Sequence, residues 1–206
     1  MNGNGTIRLL LADDQALVRG ALTALLALEP DLEVVAEVGS GDQVVAVAIE
    51  HRPDVALLDV EMPGMDGIEA TQALKGARPQ TRVLMVTTFG RPGYLRRAMQ
   101  AGAVGFVVKD TPARQLADAV RRVHAGLRVV DPLLAADSLT AGESPLTARE
   151  SDVLRAARRG ASVAAIAAEL HLSEGTVRNH LSSAIGKTGA ANRTEAVRIA
   201  DENGWL

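Results

Sequence analysis

The chain has no cysteine. That excludes disulfides and thiol chemistry and suits a reducing cytoplasm. Aromatic residues make up only 2% of the sequence, so Ala, Val and Leu must fill any interior and the elements must pack closely. No apolar run approaches the roughly 20 residues that span a bilayer. The start, Met1 to Thr6, lacks the basic and apolar stretches of a signal peptide. The formal net charge of -3 argues against a purely electrostatic nucleic-acid binder. These absences lead to the expectation of a soluble cytoplasmic protein with no membrane partner. What is present is ample apolar material, 47% of 206 residues, enough for one large domain or two small ones.

Along residues 1–125, short apolar runs at 7–12, 32–38, 55–59, 83–87 and 104–108 alternate with amphipathic stretches at 16–28, 42–51, 67–75, 93–101 and 112–125. Near-continuous Val/Leu/Ile runs imply strands buried on both faces, as in a parallel sheet. The alternation predicts an α/β flavodoxin-like (βα)5 domain with strand order 2-1-3-4-5. The pattern breaks near Gly126. Asp131-Pro132, small residues and Gly142 make 126–143 read as a linker. Residues 144–206 hold four helical segments, at 148–158, 163–170, 174–187 and 194–203, and no convincing strand. This predicts a small all-α helix-turn-helix domain.

In a doubly wound sheet, ligands bind outside the carboxyl ends of the strands. Asp13 and Asp14 end the first strand and Asp59 ends the third. Those strands are neighbours in the order 2-1-3-4-5, so the three acids would share one pocket. Clustered carboxylates repel, and a hard divalent cation with oxygen ligands, Mg²⁺, would relieve them. The fourth strand ends in the hydroxyl of Thr87. The fifth runs into Lys109, whose ammonium can meet a phosphoryl oxygen as a point charge. Taken singly, each has a plainer reading: Asp59 as a helix cap, Thr87 as a satisfied buried hydroxyl, Lys109 as a solvated charge. Gly64 and Gly67 read as turn residues.

The set Asp13-Asp14, Asp59, Thr87 and Lys109-Asp110-Thr111-Pro112, with Met62-Pro63-Gly64-Met65-Asp66-Gly67, resembles the receiver domains of two-component response regulators. The resemblance implies that Asp59 is the phosphoacceptor. It implies Mg²⁺ held by the Asp14 and Asp59 side chains, by Asp13 mostly through water, and by the Glu61 carbonyl. Thr87 and Lys109 would hold the phosphoryl group, and the donor would be a phosphohistidine on a sensor histidine kinase. An aspartyl phosphate is sound chemistry, because a carboxylate attacks phosphorus once charge is neutralised and the groups are positioned. The resemblance also implies a switch in which Thr87 turns toward the phosphoryl group and Phe106 packs inward. Ordinary core packing is the plainer reading of Phe106. Homodimerisation on phosphorylation would follow, through helices four and five or through helices one and five. Arg96, Arg97, Arg121 and Arg122 are candidates for that surface, or simply solvated charges. Glu61 and Phe89 sit where they would tune the lifetime of the phosphate.

In the second domain, a helix at 163–170, a turn and a helix at 174–187 form a helix-turn-helix. Ser173 is a fitting N-cap for the second helix, and Thr147 with Glu150 forms a capping box at the start of the domain. The Leu146-Thr147-x-Arg149-Glu150 opening, Ile166-Ala167-x-x-Leu170, Ser173-x-x-Thr176-Val177-x-x-His180 and Lys187 resemble the LuxR-type domain of the NarL/FixJ family. Residues 173–179, Thr87-Thr88-Phe89 and Arg91-Pro92-Gly93-Tyr94 further suggest a DesR-like branch. The resemblance implies binding of double-stranded promoter DNA, with Arg178 and Asn179 facing base edges. Arg pairs well with guanine and Asn with adenine. Thr176, His180 and Lys187 would contact phosphates. Ser182 occupies a third base-facing position that is often basic in relatives. Val197, Ile199 and Ala200 of the last helix would form a dimer contact or pack into the core.

A phosphatase with a strand-end Asp nucleophile would want a second Asp at position 61, where this chain has Glu61, and would not explain the helix-turn-helix. A regulator that binds DNA without phosphorylation would not need the acidic set. The expectation is therefore a non-enzyme whose receiver catalyses only its own phosphorylation and dephosphorylation.

Overall fold

The computed structural model describes residues 5–88, 92–132, 134–135 and 144–206. The described chain divides into two compact units, one carrying all the strands and the other the C-terminal helices.

In the first unit the described strands are β1 (Ile7–Ala12), β2 (Leu32–Val38), β3 (Val55–Asp59), β4 (Arg82–Thr87), β5 (Gly105–Val108) and β6 (Val129–Val130). They form one parallel sheet in the order β2-β1-β3-β4-β5-β6. β3 is buried at every position, as a run of four apolar residues flanked by helices on both faces requires, and it ends in the buried Asp59. The helices are α1 (Ala16–Leu26), α2 (Val44–His51), α3 (Gly67–Ala77), α4 (Pro92–Ala101) and α5 (Ala113–His124). Leu9, Leu11, Leu57 and Leu84 form a core with Leu22 and Leu26 of α1 and Leu116, Val120 and Val123 of α5. Phe106 is fully buried.

Three departures from the sequence reading have physical causes. Val129–Val130 lies in the stretch expected to be linker, yet it pairs with β5, Gly105 opposite Val129 and Phe106 opposite Val130. Two residues are too few to show a period, and Gly126, at φ +90°, turns the chain back onto the sheet edge. The stretch expected to be one helix at 42–51 begins as a 3-10 turn over Gly41–Gln43. There a Cβ on Gly41 would lie 2.2 Å from the Met65 carbonyl oxygen. α1 stops at Leu26, ahead of Glu29-Pro30, because the residue before proline disfavours helix. Phe89, Arg91 and residues 136–143, named in the sequence reading, lie outside the described residues.

Arg121 is not a solvated charge. Its guanidinium grips both oxygens of Asp31, at 2.7 and 2.8 Å, and Glu29 at 2.6 Å, tying α5 to the turn before β2. The guanidinium beside it holds the Asp31 carboxyl below its ordinary value, against the opposing effect of burial. A partly exposed fork of this kind contributes on the order of 1 kcal/mol.

The second unit is helical: α6 (Ala148–Arg158), α7 (Val163–Glu169), α8 (Glu174–Thr188) and α9 (Arg193–Glu202). Every start is capped by a side chain: Thr147, Ser162, Ser173 and Asn192 each accept from a backbone N–H three residues on. The capping box of Thr147 and Glu150 is present. Val153, Leu154, Ile166, Val177, Leu181, Ala184, Ala196 and Ala200 form its core, with Trp205 packed against them. Ala200 is fully buried, so the last helix contributes to the core here, as one of the two readings of that helix held.

Candidate functional sites

The sheet register brings the chemistry-bearing strand ends together. Ala12 of β1 lies opposite Leu58 of β3, Asp59 opposite Val86 of β4, and Thr87 opposite Val108 of β5. Each following residue therefore emerges on the same rim. Oxygens of Asp13, Asp14 and Asp59 lie within 4.8 Å of one another. Asp13 and Asp59 are buried and Asp14 is exposed. Lys109 reaches across from the end of β5, its Nζ 2.6 Å from Asp13 Oδ2 and 2.8 Å from Asp59 Oδ2. Thr87 is buried at the end of β4, and its carbonyl accepts from the Lys109 N–H at 2.7 Å.

One ammonium pairs with two of the three clustered carboxylates, so the pocket keeps an excess of negative charge. Burial pushes the Asp59 carboxyl above its ordinary value; Lys109 opposes the rise and Asp13 adds to it. Burial alone would lower Lys109, but its hydrogen bonds to Asp13 and Asp59 outweigh it and hold the ammonium above its usual range. An all-oxygen cluster with uncompensated charge and one exposed member fits a hard cation such as Mg²⁺ that keeps some of its water.

Residues the sequence reading did not assign to the site hold it in shape. Arg19 of α1 donates to the Asp13 carbonyl oxygen and lies 3.5 Å from Glu37. The Asp13 side chain accepts from the Gln15 N–H at 2.9 Å, and Asp59 from the Glu61 N–H at 3.4 Å. Gly64 adopts φ +77°, the turn role expected of it. Gly67 has a different one. A Cβ there would lie 1.8 Å from the Asp59 carbonyl oxygen, so the start of α3 presses on the peptide of the acidic residue itself. Asp66 and Glu69 close a capping box that anchors this helix start.

On the second unit, α8 presents Arg178, Asn179 and Ser182 as exposed residues on one face, while Val177, Leu181 and Ala184 point into the core. Arg178 is held by Glu174 one turn earlier, at 2.6 Å. Thr176 shares a hydrogen bond of 2.8 Å with the cap residue Ser173, and both Thr176 and His180 are half-buried. Lys187 is an exposed residue whose ammonium turns back onto the domain: its Nζ lies 2.7 Å from Glu150 Oε2. In the turn before α8, His171 adopts a left-handed φ of +54°.

A parallel α/β unit with an acidic strand-end pocket, followed by a capped helix-turn-helix, is the architecture of a two-domain signalling regulator. Comparison with known proteins makes this specific. Residues 9–121 match the family "Response regulator receiver domain" and residues 144–200 match "Bacterial regulatory proteins, luxR family". The chain is 42% identical to the transcriptional regulatory protein YvfU of Bacillus subtilis, over 97% of this chain and all of that one. It is 41% identical to the transcriptional regulatory protein DesR of the same organism, over 97% and 99%. Among solved structures, the response regulator ChrA of a heme-sensing two-component system is 35% identical, over 98% of this chain and all of that one, with a TM-score of 0.59. An RcsB–DNA complex, at 23% identity and a TM-score of 0.67, shares the fold. The chain belongs to the response regulators, as a transcriptional regulator with a receiver domain and a LuxR-type DNA-binding domain. Among the described residues no helix is long and apolar enough to cross a membrane.

Proposed function

We propose that Asp59 is the phosphoacceptor and that its phosphorylation drives dimerisation and promoter binding. The observation that carries this reading is the convergence of Asp13, Asp14 and Asp59 in one cluster, with Lys109 paired to Asp13 and Asp59. A carboxylate oxygen of Asp59 attacks the phosphorus of a phosphohistidine on a sensor histidine kinase. The O–P bond forms, the P–N bond breaks, and the electron pair returns to the imidazole, leaving an acyl phosphate. Bound Mg²⁺ would neutralise the phosphoryl oxygens. Asp13, Asp14, Asp59 and the Glu61 carbonyl would hold it. Lys109, already at Asp59, needs only to follow the new phosphoryl group, and Thr87 supplies a hydroxyl beside it. Hydrolysis of the acyl phosphate restores Asp59, so the receiver acts on no substrate but its own phosphate. This chemistry belongs to the cytoplasm, where the kinase presents its phosphohistidine.

The dimer reading now favours α1. Leu17, Ala21 and Ala24 recur at helical spacing on α1, with Leu28 just past its end, all exposed, Leu17 87% and Leu28 78% accessible. Arg121 is engaged within its own chain and is not available to a partner. Two copies would then place two α8 helices on half-sites about one helical turn apart, with Arg178 and Asn179 reading base edges.

Incubation of the intact protein with acetyl phosphate and Mg²⁺ tests the reading. Stable labelling that is lost in Asp59→Asn, with a rise in dimer and in DNA affinity, is the expected result. Absence of labelling would reject it in favour of a phosphorylation-independent regulator, and rapid multiple turnover would reject it in favour of a phosphatase.

A further inference from the structure

The first turn of α6 carries a buried glutamate whose three hydrogen bonds join two helices. Glu150 Oε2 accepts from the Thr147 N–H at 2.6 Å and from Lys187 Nζ at 2.7 Å, and Oε1 accepts from Ser183 Oγ at 2.6 Å. Glu150 is only 4% exposed. Thr147 begins α6, whereas Ser183 and Lys187 lie one turn apart on α8, the helix that carries Arg178 and Asn179. A cap needs only the first of these bonds. The other two tie the C-terminal half of α8 to the start of α6.

We infer that Glu150 is a positioning residue for DNA recognition, and that Lys187 serves as its internal counter-charge and makes no phosphate contact. A helix held at one end by two charge-assisted bonds has little freedom to roll or tilt, and a roll would displace Arg178 and Asn179 from base edges. The ammonium of Lys187 is already paired with a buried carboxylate. Moving it to a phosphate would strand that carboxylate without a cation, which a phosphate contact at the protein surface does not offset. The inference rests on the reading of α8 as the DNA-contacting helix.

The test uses the full chain. Its single tryptophan, Trp205, packs against the second unit's core, so its emission reports the unfolding of that unit alone. Lys187→Met, Ser183→Ala and Glu150→Gln are compared with wild type. Affinity for a fixed 30-base-pair duplex is measured across salt concentrations, at a temperature where emission shows each variant fully folded. Expected are a fall of about 5–10 °C in the Trp205 melting temperature for Lys187→Met, and a smaller fall for Ser183→Ala. DNA affinity should drop about tenfold in Glu150→Gln, and the salt slope of Lys187→Met should match wild type. A slope for Lys187→Met shallower by about 0.9 would mark a phosphate contact and overturn the inference. So would an unchanged melting temperature in Lys187→Met, or tighter binding with a steeper slope in Glu150→Gln, because the released ammonium would then be reaching DNA. Wild type that binds no duplex at low salt would instead overturn the DNA reading. The melting temperatures would still decide whether the tie exists.

Discussion

Gly67 and Asp59 meet backbone to backbone: a Cβ on Gly67 would fall 1.8 Å from the Asp59 carbonyl oxygen and 2.8 Å from its carbonyl carbon. The start of α3 therefore seats the end of β3. Its own N–H donates to the Val60 carbonyl at 3.0 Å. Neither partner is a flexible side chain that could swing aside. Gly67→Ala should cost about 2–3 kcal/mol of stability in the first unit, as overpacking against rigid backbone does. It should also slow labelling of Asp59 by acetyl phosphate. Calorimetry of the intact chain checks the first outcome and labelling kinetics the second. A wild-type melting profile would show that the helix start moves away freely.

Removing the ammonium from the acidic pocket should be costly, and the cost should depend on Asp59. Lys109→Met leaves Asp13 and Asp59 buried without their shared cation. In Mg²⁺-free buffer the loss should be about 3 kcal/mol. Adding Asp59→Asn to the same chain should recover a large part, and so should millimolar Mg²⁺ on the single variant. Urea unfolding followed by far-UV circular dichroism resolves the three. An additive double variant would show that Lys109 and Asp59 are not coupled.

Acid should unfold the second unit through Glu150. Burial works to raise this carboxyl, but Lys187, Ser183 and Thr147 outweigh it and bring it from 4.5 down to about 2. A carboxyl lowered in the folded state adds stability that is complete above its unfolded value and fades as pH falls toward its folded one. The contribution, about 3 kcal/mol at neutral pH, should therefore disappear between pH 4.5 and about 2. Trp205 emission across that window should show a steep loss in wild type and a flat response in Glu150→Gln. Equal slopes would assign the acid sensitivity elsewhere.

The turn of the helix-turn-helix stores a small strain. His171 sits at φ +54°, where a side chain crowds the backbone by roughly 1–2 kcal/mol and β-branching makes it worse. His171→Val should destabilise the second unit by about 1–2 kcal/mol. His171→Gly should stay within about 0.5 kcal/mol of wild type, because relief of strain and added freedom of the unfolded chain nearly cancel. Chemical denaturation read at Trp205 separates the two variants.

The fold was legible where burial imposed a period or a run. β1, β2 and β3 have the bounds their apolar runs announce, and α6 has the bounds its periodicity and Thr147 cap announce. The acidic convergence was legible too, since strand order alone makes β1 and β3 neighbours. Contacts that depend on exact distance were not. Gly67 reads as one more turn glycine until α3 is laid against Asp59. Glu150 reads as half of a capping box, because the local pattern Thr147-x-x-Glu150 accounts for it fully. Nothing in the chain marks Ser183 or Lys187, more than thirty residues on, as its other partners. Arg121 likewise reads as a surface charge until folding places Glu29 and Asp31 beside it.

The short sixth strand has a mechanical consequence. Val129 N–H donates to the Val104 carbonyl and Asp131 N–H to the Phe106 carbonyl, at 3.1 and 3.2 Å. The stretch of chain that departs from the sheet is thus stitched to the strand that bears Phe106 and leads into Lys109. A shift of that strand along its axis would have to break these bonds or carry Val129–Asp131 with it, so the departing backbone and the pocket-forming strand are mechanically one piece.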